Sequence, residues 1–321
     1  MEALFERIVD AHSAIRPQVL VTPLDFSSAL SASTGCDVFL KGEHLQPTGS
    51  FKLRGASNKL RLLDHGERKV GVVTASTGNH GLAVARAGSL LGIPVRVYVA
   101  ASASPLKTAA IEALGAELVS LDGPLIAAEL RARESAEREG KVYVSPYNDI
   151  DVVAGQGTVG AEIAEQHGEL DAVFISVGGG GLISGAGVAL KRLSPRTRIV
   201  GVWPENSPSM LRAMEAGRIV DVEEVATLSD GTAGAVEPGA ITLPICRAVI
   251  DQTVTVTELE ISSAMRKIAE KERWMIEGAA GVAVAGMIKL AEAYRERKVA
   301  AVICGRNIAL QTFLKAMTYW T

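Results

Sequence analysis

Short apolar runs alternate with stretches of helical periodicity along most of this chain. Residues 70–75, 95–100, 117–121 and 141–144 are compact runs dominated by valine, alanine and leucine, the pattern of buried strands. Between them, residues 81–91, 105–114 and 124–139 repeat apolar positions at helical spacing. Pro105 and Pro124 stand where a first helical turn tolerates proline. The same grammar continues with strand runs at 172–177, 199–203, 254–256 and 300–303 and helical stretches at 157–166 and 261–271. An early run at 38–41 adds one more strand. Strand–helix alternation predicts an α/β fold with parallel sheets and right-handed crossovers. The pattern falls into two units: a smaller one over 56–149, inserted into a larger one formed by 1–55 and 150–321. No fixed-period repeat or low-complexity tract interrupts it.

One lysine near the expected seam stands out. In Thr48-Gly49-Ser50-Phe51-Lys52-Leu53-Arg54-Gly55-Ala56, Lys52 follows a flexible turn, adjoins an aromatic ring and opens a helix. A helix N-terminus and apolar surroundings both disfavour an ammonium. Both therefore push Lys52 toward a neutral amine able to attack a carbonyl and form an imine. An isolated lysine would be read as a solvated surface residue; the motifs that accompany this one change that reading. The strand at 172–177 runs into Gly178-Gly179-Gly180-Gly181 and then a helix, so successive amides can face one anion. The frame is not the dinucleotide fingerprint, because Ile183 or Ser184 falls where its third glycine belongs, nor a P-loop, because Ala186 follows Gly185. A ligand-free strand-to-helix turn is the plainer alternative for this loop. Ser76-Thr77-Gly78-Asn79-His80-Gly81 is a second strand-to-helix turn with hydroxyl and amide groups.

Composition narrows the classes. The chain has 321 residues, 48% of them hydrophobic, and a formal net charge of −3. No basic cluster suggests nucleic acid as a partner. Cys36, Cys246 and Cys304 are scattered without paired spacing, which fits reduced thiols in a cytoplasm better than disulfides or a zinc site. The acidic start Met1-Glu2-Ala3-Leu4-Phe5-Glu6-Arg7 has no signal-peptide core, and no uncharged run is long enough to span a membrane. A soluble, cytoplasmic protein is expected.

The lysine motif, the Ser-x-Gly-Asn-His turn, the tetraglycine loop and the terminal Cys304-Gly305-Arg306-Asn307 occur here in one order. Together they resemble the fold-type II pyridoxal-phosphate enzymes, specifically the serine/threonine dehydratase group. The likeness runs from Thr22-Pro23-Leu24 to Asn307. It implies a tryptophan-synthase-β-like pair of open twisted parallel-sheet domains with the active site in the cleft between them, and a homodimer. It also implies α,β-elimination of water from a β-hydroxy α-amino acid such as threonine or serine, giving a 2-oxo acid and ammonia. On that resemblance Lys52 carries pyridoxal 5'-phosphate and acts as the base, Phe51 flanks the ring, and Asn79 meets the ring's phenolic oxygen. Gly178, Gly179, Gly180 and Gly181 would cradle the phosphate, with Asn148 and Gly234 along the cofactor cleft. Ser76, Thr77, Gly78, Asn79 and His80 would receive the substrate carboxylate.

Cys304 takes the place of the residue facing the ring nitrogen, although without the adjoining Gly305 and Asn307 a buried core thiol is the preferred reading of it. The resemblance also places Glu277 near the pocket, where a helix N-terminal acid would look the same. Arg306 stands where this group carries a small residue; it either binds an acidic group of substrate or protein or points to solvent. Cys304-Gly305-Arg306-Asn307 is similar to a branch associated with hydroxyectoine breakdown, whose substrate would be an ectoine-derived compound. Thr77 sits where serine-racemising relatives have a hydroxyl, so a racemase is a further alternative. Trp203 replaces a glutamate that binds a divalent cation in several relatives, and no metal site is expected. Nor is a regulatory domain expected beyond Asn307.

Overall fold

The computed structural model describes residues 1–76, 78–101, 103, 105–122 and 125–318. The strands are β1 (Leu24–Phe26), β2 (Asp37–Lys41), β3 (Val72–Ala75), β4 (Val95–Ala100), β5 (Glu117–Leu121), β6 (Val142–Tyr143), β7 (Ala172–Ser176), β8 (Arg198–Pro204), β9 (Gln252–Val256) and β10 (Lys298–Val302). The helices of the first half are α1 (Glu2–Ala14), α2 (Ser28–Thr34), α3 (Lys52–Arg61), α4 (His65–Val70), α5 (Asn79–Leu91), α6 (Pro105–Glu112) and α7 (Leu125–Glu139). Those of the second half are α8 (Ile150–Gln166), α9 (Gly181–Leu193), α10 (Ser209–Ala216), α11 (Thr242–Val249), α12 (Glu258–Lys271), α13 (Gly278–Lys289) and α14 (Leu310–Thr318).

Two sheets result, ordered β1-β2-β10-β7-β8-β9 and β5-β4-β3-β6. Every pairing is parallel except β1 with β2. All five residues of β7 and all four of β3 are buried, which is why these strands read as continuous apolar runs instead of alternating ones. The edge strand β1 is only three residues long and carried no such signal.

One expected strand begins late. Residues 65–70 form α4, whose start is set by a reciprocal capping box between Asp64 and Glu67. Gly71, at φ +93°, then turns the chain into β3.

Helix α8 ties the molecule together. Twelve of its residues, Val152 to Ile163, are buried, and it packs on α1, α3 and α9. Contact with α3 is backbone to backbone: a Cβ on Gly155 would lie 2.7 Å from the Cα of Gly55. A helix so enclosed is apolar or small-sided except where a buried partner meets a polar side chain, as Arg54 and Lys41 meet Glu162. Among the described residues no helix is long and apolar enough to cross a membrane.

Candidate active site

Four helix N-termini converge on one cavity of about 380 Å³. Lys52 opens α3, Asn79 and His80 open α5, Gly181 to Ile183 open α9, and Glu277 precedes α13. Each contributes unpaired amides and the positive end of a helix dipole, so the cavity favours anions.

The Lys52 side chain projects into this field. Its Nζ donates to the carbonyl oxygen of Pro146 at 2.9 Å and lies 5.2 Å from the centre of the Phe51 ring. Burial lowers its pKa to about 8, while Cys304 and Glu277 pull the other way. At neutral pH about one amine in ten is then unprotonated, against a few in ten thousand for an ordinary lysine.

The glycine loop lies across the cavity. Gly180 takes φ +83°, a left-handed conformation that any side chain would strain. A Cβ on Gly179 would lie 2.4 Å from the Tyr147 ring. The loop is thus held tight against Tyr147, and its surface toward the cavity is backbone. That is the cradle a phosphate group requires.

Cys304 is 2% exposed, and burial pushes its thiol pKa far up, so the sulfur is protonated. Ser176 Oγ donates to its Sγ at 3.7 Å. His80 is likewise neutral: burial and the Lys52 charge lower its pKa to about 3. Its Nε2 lies 2.9 Å from the Val144 carbonyl, an acceptor only, so Nε2 carries the proton.

A hydrogen-bonded trio closes the wall between α5 and α13. Asn79 Nδ2 donates to both Glu277 oxygens at 2.8 and 3.0 Å, and the Asn307 backbone N–H donates to Glu277 Oε2 at 3.0 Å. Asn307 Nδ2 donates to Asn79 Oδ1 at 2.6 Å and to the Thr48 carbonyl at 2.8 Å.

Of the residues singled out from sequence, Phe51, Lys52, Ser76, Gly78, Asn79, His80, Gly178 to Gly181, Gly234 and Cys304 line this one cavity. Glu277, left open between two readings, lines it too. Thr77 lies outside the described residues. One expectation does not fit the geometry, and one open alternative is decided for the described residues. Asn148 is absent from the lining; its Oδ1 accepts the backbone N–H of Ile241 at 2.9 Å and so holds the chain into α11. Arg306 is exposed and absent from the lining, because its backbone N–H is bound to the Gly49 carbonyl at 2.9 Å and its charge instead depresses the pKa of His44. Sequence reasoning passed over Tyr147, Ser176, Thr232 and Asn307 as site residues, though all four line the cavity. Ser176 ends the strand that feeds the glycine loop, and Asn307 closes the terminal motif; both positions were signals.

The residues fit pyridoxal phosphate: an activated amine, a backbone anion cradle and a buried neutral thiol share one cavity. Comparison with known proteins agrees. The family model described as pyridoxal-phosphate dependent enzyme matches residues 15–305. The L-threonine ammonia-lyase of Thermotoga maritima is 41% identical over 304 residues, covering 94% of this chain and 75% of that protein. The L-threo-3-hydroxyaspartate ammonia-lyase of a Pseudomonas species is 36% identical over 292 residues, 91% of each chain. Among solved structures, the processed form of threonine deaminase isoform 2 from Solanum lycopersicum superposes with a TM-score of 0.95 at 34% identity, covering 99% of this chain and 94% of that one. This α/β chain belongs to the family of pyridoxal-phosphate-dependent enzymes.

Proposed function

We propose that this chain is an ammonia-lyase that eliminates water from a small β-hydroxy α-amino acid, threonine or serine, to give a 2-oxo acid and ammonia. The observation that carries this reading is Lys52, a depressed-pKa amine facing a backbone anion cradle and a neutral thiol in one cavity. Bound pyridoxal phosphate supplies an electron sink for the pair left when the Cα proton departs. The chain's own residues do the rest. The Gly178–Gly181 amides hold the phosphate, and the Ser76–His80 turn, at the start of α5, receives the substrate carboxylate. Lys52 Nζ holds and moves the Cα proton, as a base kept close to its target. If Cys304 stands opposite the cofactor's ring nitrogen, as the resemblance implies, its protonated thiol would supply no counter-anion there.

The lining also supports a neutral side chain on the substrate. Lys52 is the only lysine or arginine among the described lining residues, whereas Asp230 and Glu277 both contribute negative charge. A second carboxylate, as in 3-hydroxyaspartate, would find no guanidinium there. A hydroxyectoine-derived substrate rested on the likeness of Cys304-Gly305-Arg306-Asn307, of which Arg306 is exposed outside the lining. The same reading takes residues 56–149 and 1–55 with 150–321 as two units with the active site in the cleft between them, in a cytoplasmic homodimer.

Substituting Lys52→Ala tests the assignment: visible cofactor absorbance and release of 2-oxo acid from threonine should both vanish. A coloured, active K52A variant refutes it. A panel of serine, threonine, 3-hydroxyaspartate and hydroxyectoine derivatives ranks the substrates by kcat/KM, with threonine or serine expected first.

A further inference from the structure

Two residues beyond Lys52, the same helix carries the most heavily bonded side chain of the interior. Arg54 is 0% exposed. Its Nε and Nη2 donate to Glu43 Oε2 and Oε1, both at 2.7 Å. Nη1 and Nη2 donate to Glu162 Oε1 and Oε2, both at 2.8 Å. Nη1 also reaches Thr158 Oγ1 at 3.1 Å, and Nη2 the Leu20 carbonyl at 3.3 Å. One planar fork is therefore clasped by two carboxylates at once, side-on by Glu43 and end-on by Glu162.

The clasp is itself braced. Thr22 Oγ1 donates to Glu43 Oε1 at 2.5 Å, and Lys41 Nζ donates to Glu162 Oε2 at 2.7 Å. Lys41, Glu43 and Glu162 are each 0% exposed. Two cations and two anions are balanced away from water, on β2, on the turn that follows it, on α3 and on α8. Such a network adds little net stability, since desolvating four charges offsets most of their attraction. Direction is what it provides and an apolar patch would not.

We propose that Arg54 is the positioning residue for Lys52, the clasp on its guanidinium setting the rotation of α3 that aims the lysine into the cavity. At about 100° per residue, positions 52 and 54 lie roughly 200° apart around the helix. Arg54 is thus fixed on the face almost opposite Lys52, and a rotation that slackened one would swing the other. The N-cap, Phe51, makes no side-chain cap bond; its backbone N–H donates to the Cys304 carbonyl at 3.0 Å, and the Gly55 backbone packs on α8. Those contacts hold the helix start in place, while the clasp on Arg54 adds a directional side-chain hold. The acceptor of Lys52 Nζ, the Pro146 carbonyl, lies in the segment leading into α8, and α8 carries Glu162. Glu162 therefore references both the lysine and its acceptor to one helix. Lysine at 54 would keep the charge and lose the fork.

This proposal rests on the lyase reading only for its consequence; its test reads the Lys52 amine directly. Arg54→Lys, Arg54→Met and the charge-balanced double variant Arg54→Met/Glu43→Gln are compared with the parent full chain. Reductive methylation of the full chains, first stripped of cofactor, with formaldehyde and cyanoborohydride across pH, followed by peptide mapping at residue 52, gives the midpoint for the amine. Thermal melting gives stability. The double variant should melt close to the parent, and its Lys52 midpoint should still rise by one pH unit or more from about 8. R54K should shift the midpoint in the same direction. On threonine, both should lose at least tenfold in kcat with KM within about twofold. A folded variant with the parental midpoint overturns the proposal, and so does failure of all three variants to fold, which would make Arg54 purely structural. A parent that binds no pyridoxal phosphate refutes the lyase reading instead and leaves the methylation comparison intact.

Discussion

At the scale of single residues, the site works through protonation states that burial sets. Lys52 at about pKa 8 is the clearest case, with loss of solvent as the largest cause. Its neutral form is the nucleophile, so the rate at which the cofactor-free chain takes up pyridoxal phosphate should climb with pH to a midpoint near 8. Stopped-flow absorbance measures this; a rate still rising tenfold per unit at pH 9.5 would show an ordinary lysine. Gly179 gives a second prediction. A methyl there collides with the Tyr147 ring, so Gly179→Ala should hold the cofactor at least tenfold more weakly. Pairing it with Tyr147→Gly should recover part of the loss, as equilibrium dialysis would show. Lys52 and the glycine loop were legible because each is a local motif, its chemistry contained in a few consecutive residues. The trio of Asn79, Glu277 and Asn307 was not, since Asn79 lies 198 and 228 positions from its two partners and only the fold brings them together.

At the scale of elements, the strands were legible and the glycine-bearing helices less so. Strand β4 runs Val95–Ala100 and β5 Glu117–Leu121, matching their apolar runs. Helix α8 was expected over 157–166 yet begins at Ile150, capped by Asp149. Gly155 and Gly157 look like breaks in sequence, and glycine does weaken a helix interior. Here they are surfaces of approach: a Cβ on Gly155 would meet the Arg54 carbonyl at 2.5 Å and one on Gly157 the Ile8 side chain at 2.6 Å. Propensity was overruled by packing, which a single sequence does not display. Gly155→Ala should therefore destabilise by about 2–3 kcal/mol despite the better helix former, because backbone atoms cannot yield as a side chain can. A thermal melt decides it; an unchanged or raised Tm would mean the two helices can part at no cost.

For the whole molecule, the same burial couples stability to acid. His80 and His44 are 3% and 2% exposed, with pKa values of about 3 and about 4. Burial is the main cause for both; the Lys52 charge adds to it for His80 and the Arg306 charge for His44. The unfolded chain binds a proton on each near pH 6.5, and the folded chain does not until much lower. Between those limits the unfolded state holds more protons, so stability rises with pH and is lost as pH falls from 6.5. Each histidine should remove about 2 kcal/mol by pH 5, at roughly 1.4 kcal/mol per unit. Ordinary exposed carboxylates titrate below that window and add little within it. His80→Gln and His44→Gln each remove one titrating group while keeping an amide in its place. In urea melts of the cofactor-free chain at pH 7 and pH 5, each should flatten the loss by about 2 kcal/mol, whatever its own cost at pH 7. Parental acid sensitivity in both variants would mean that neither ring is held neutral. A proton on His80 would then sit beside the Lys52 ammonium, and the two like charges would each favour the other's neutral form.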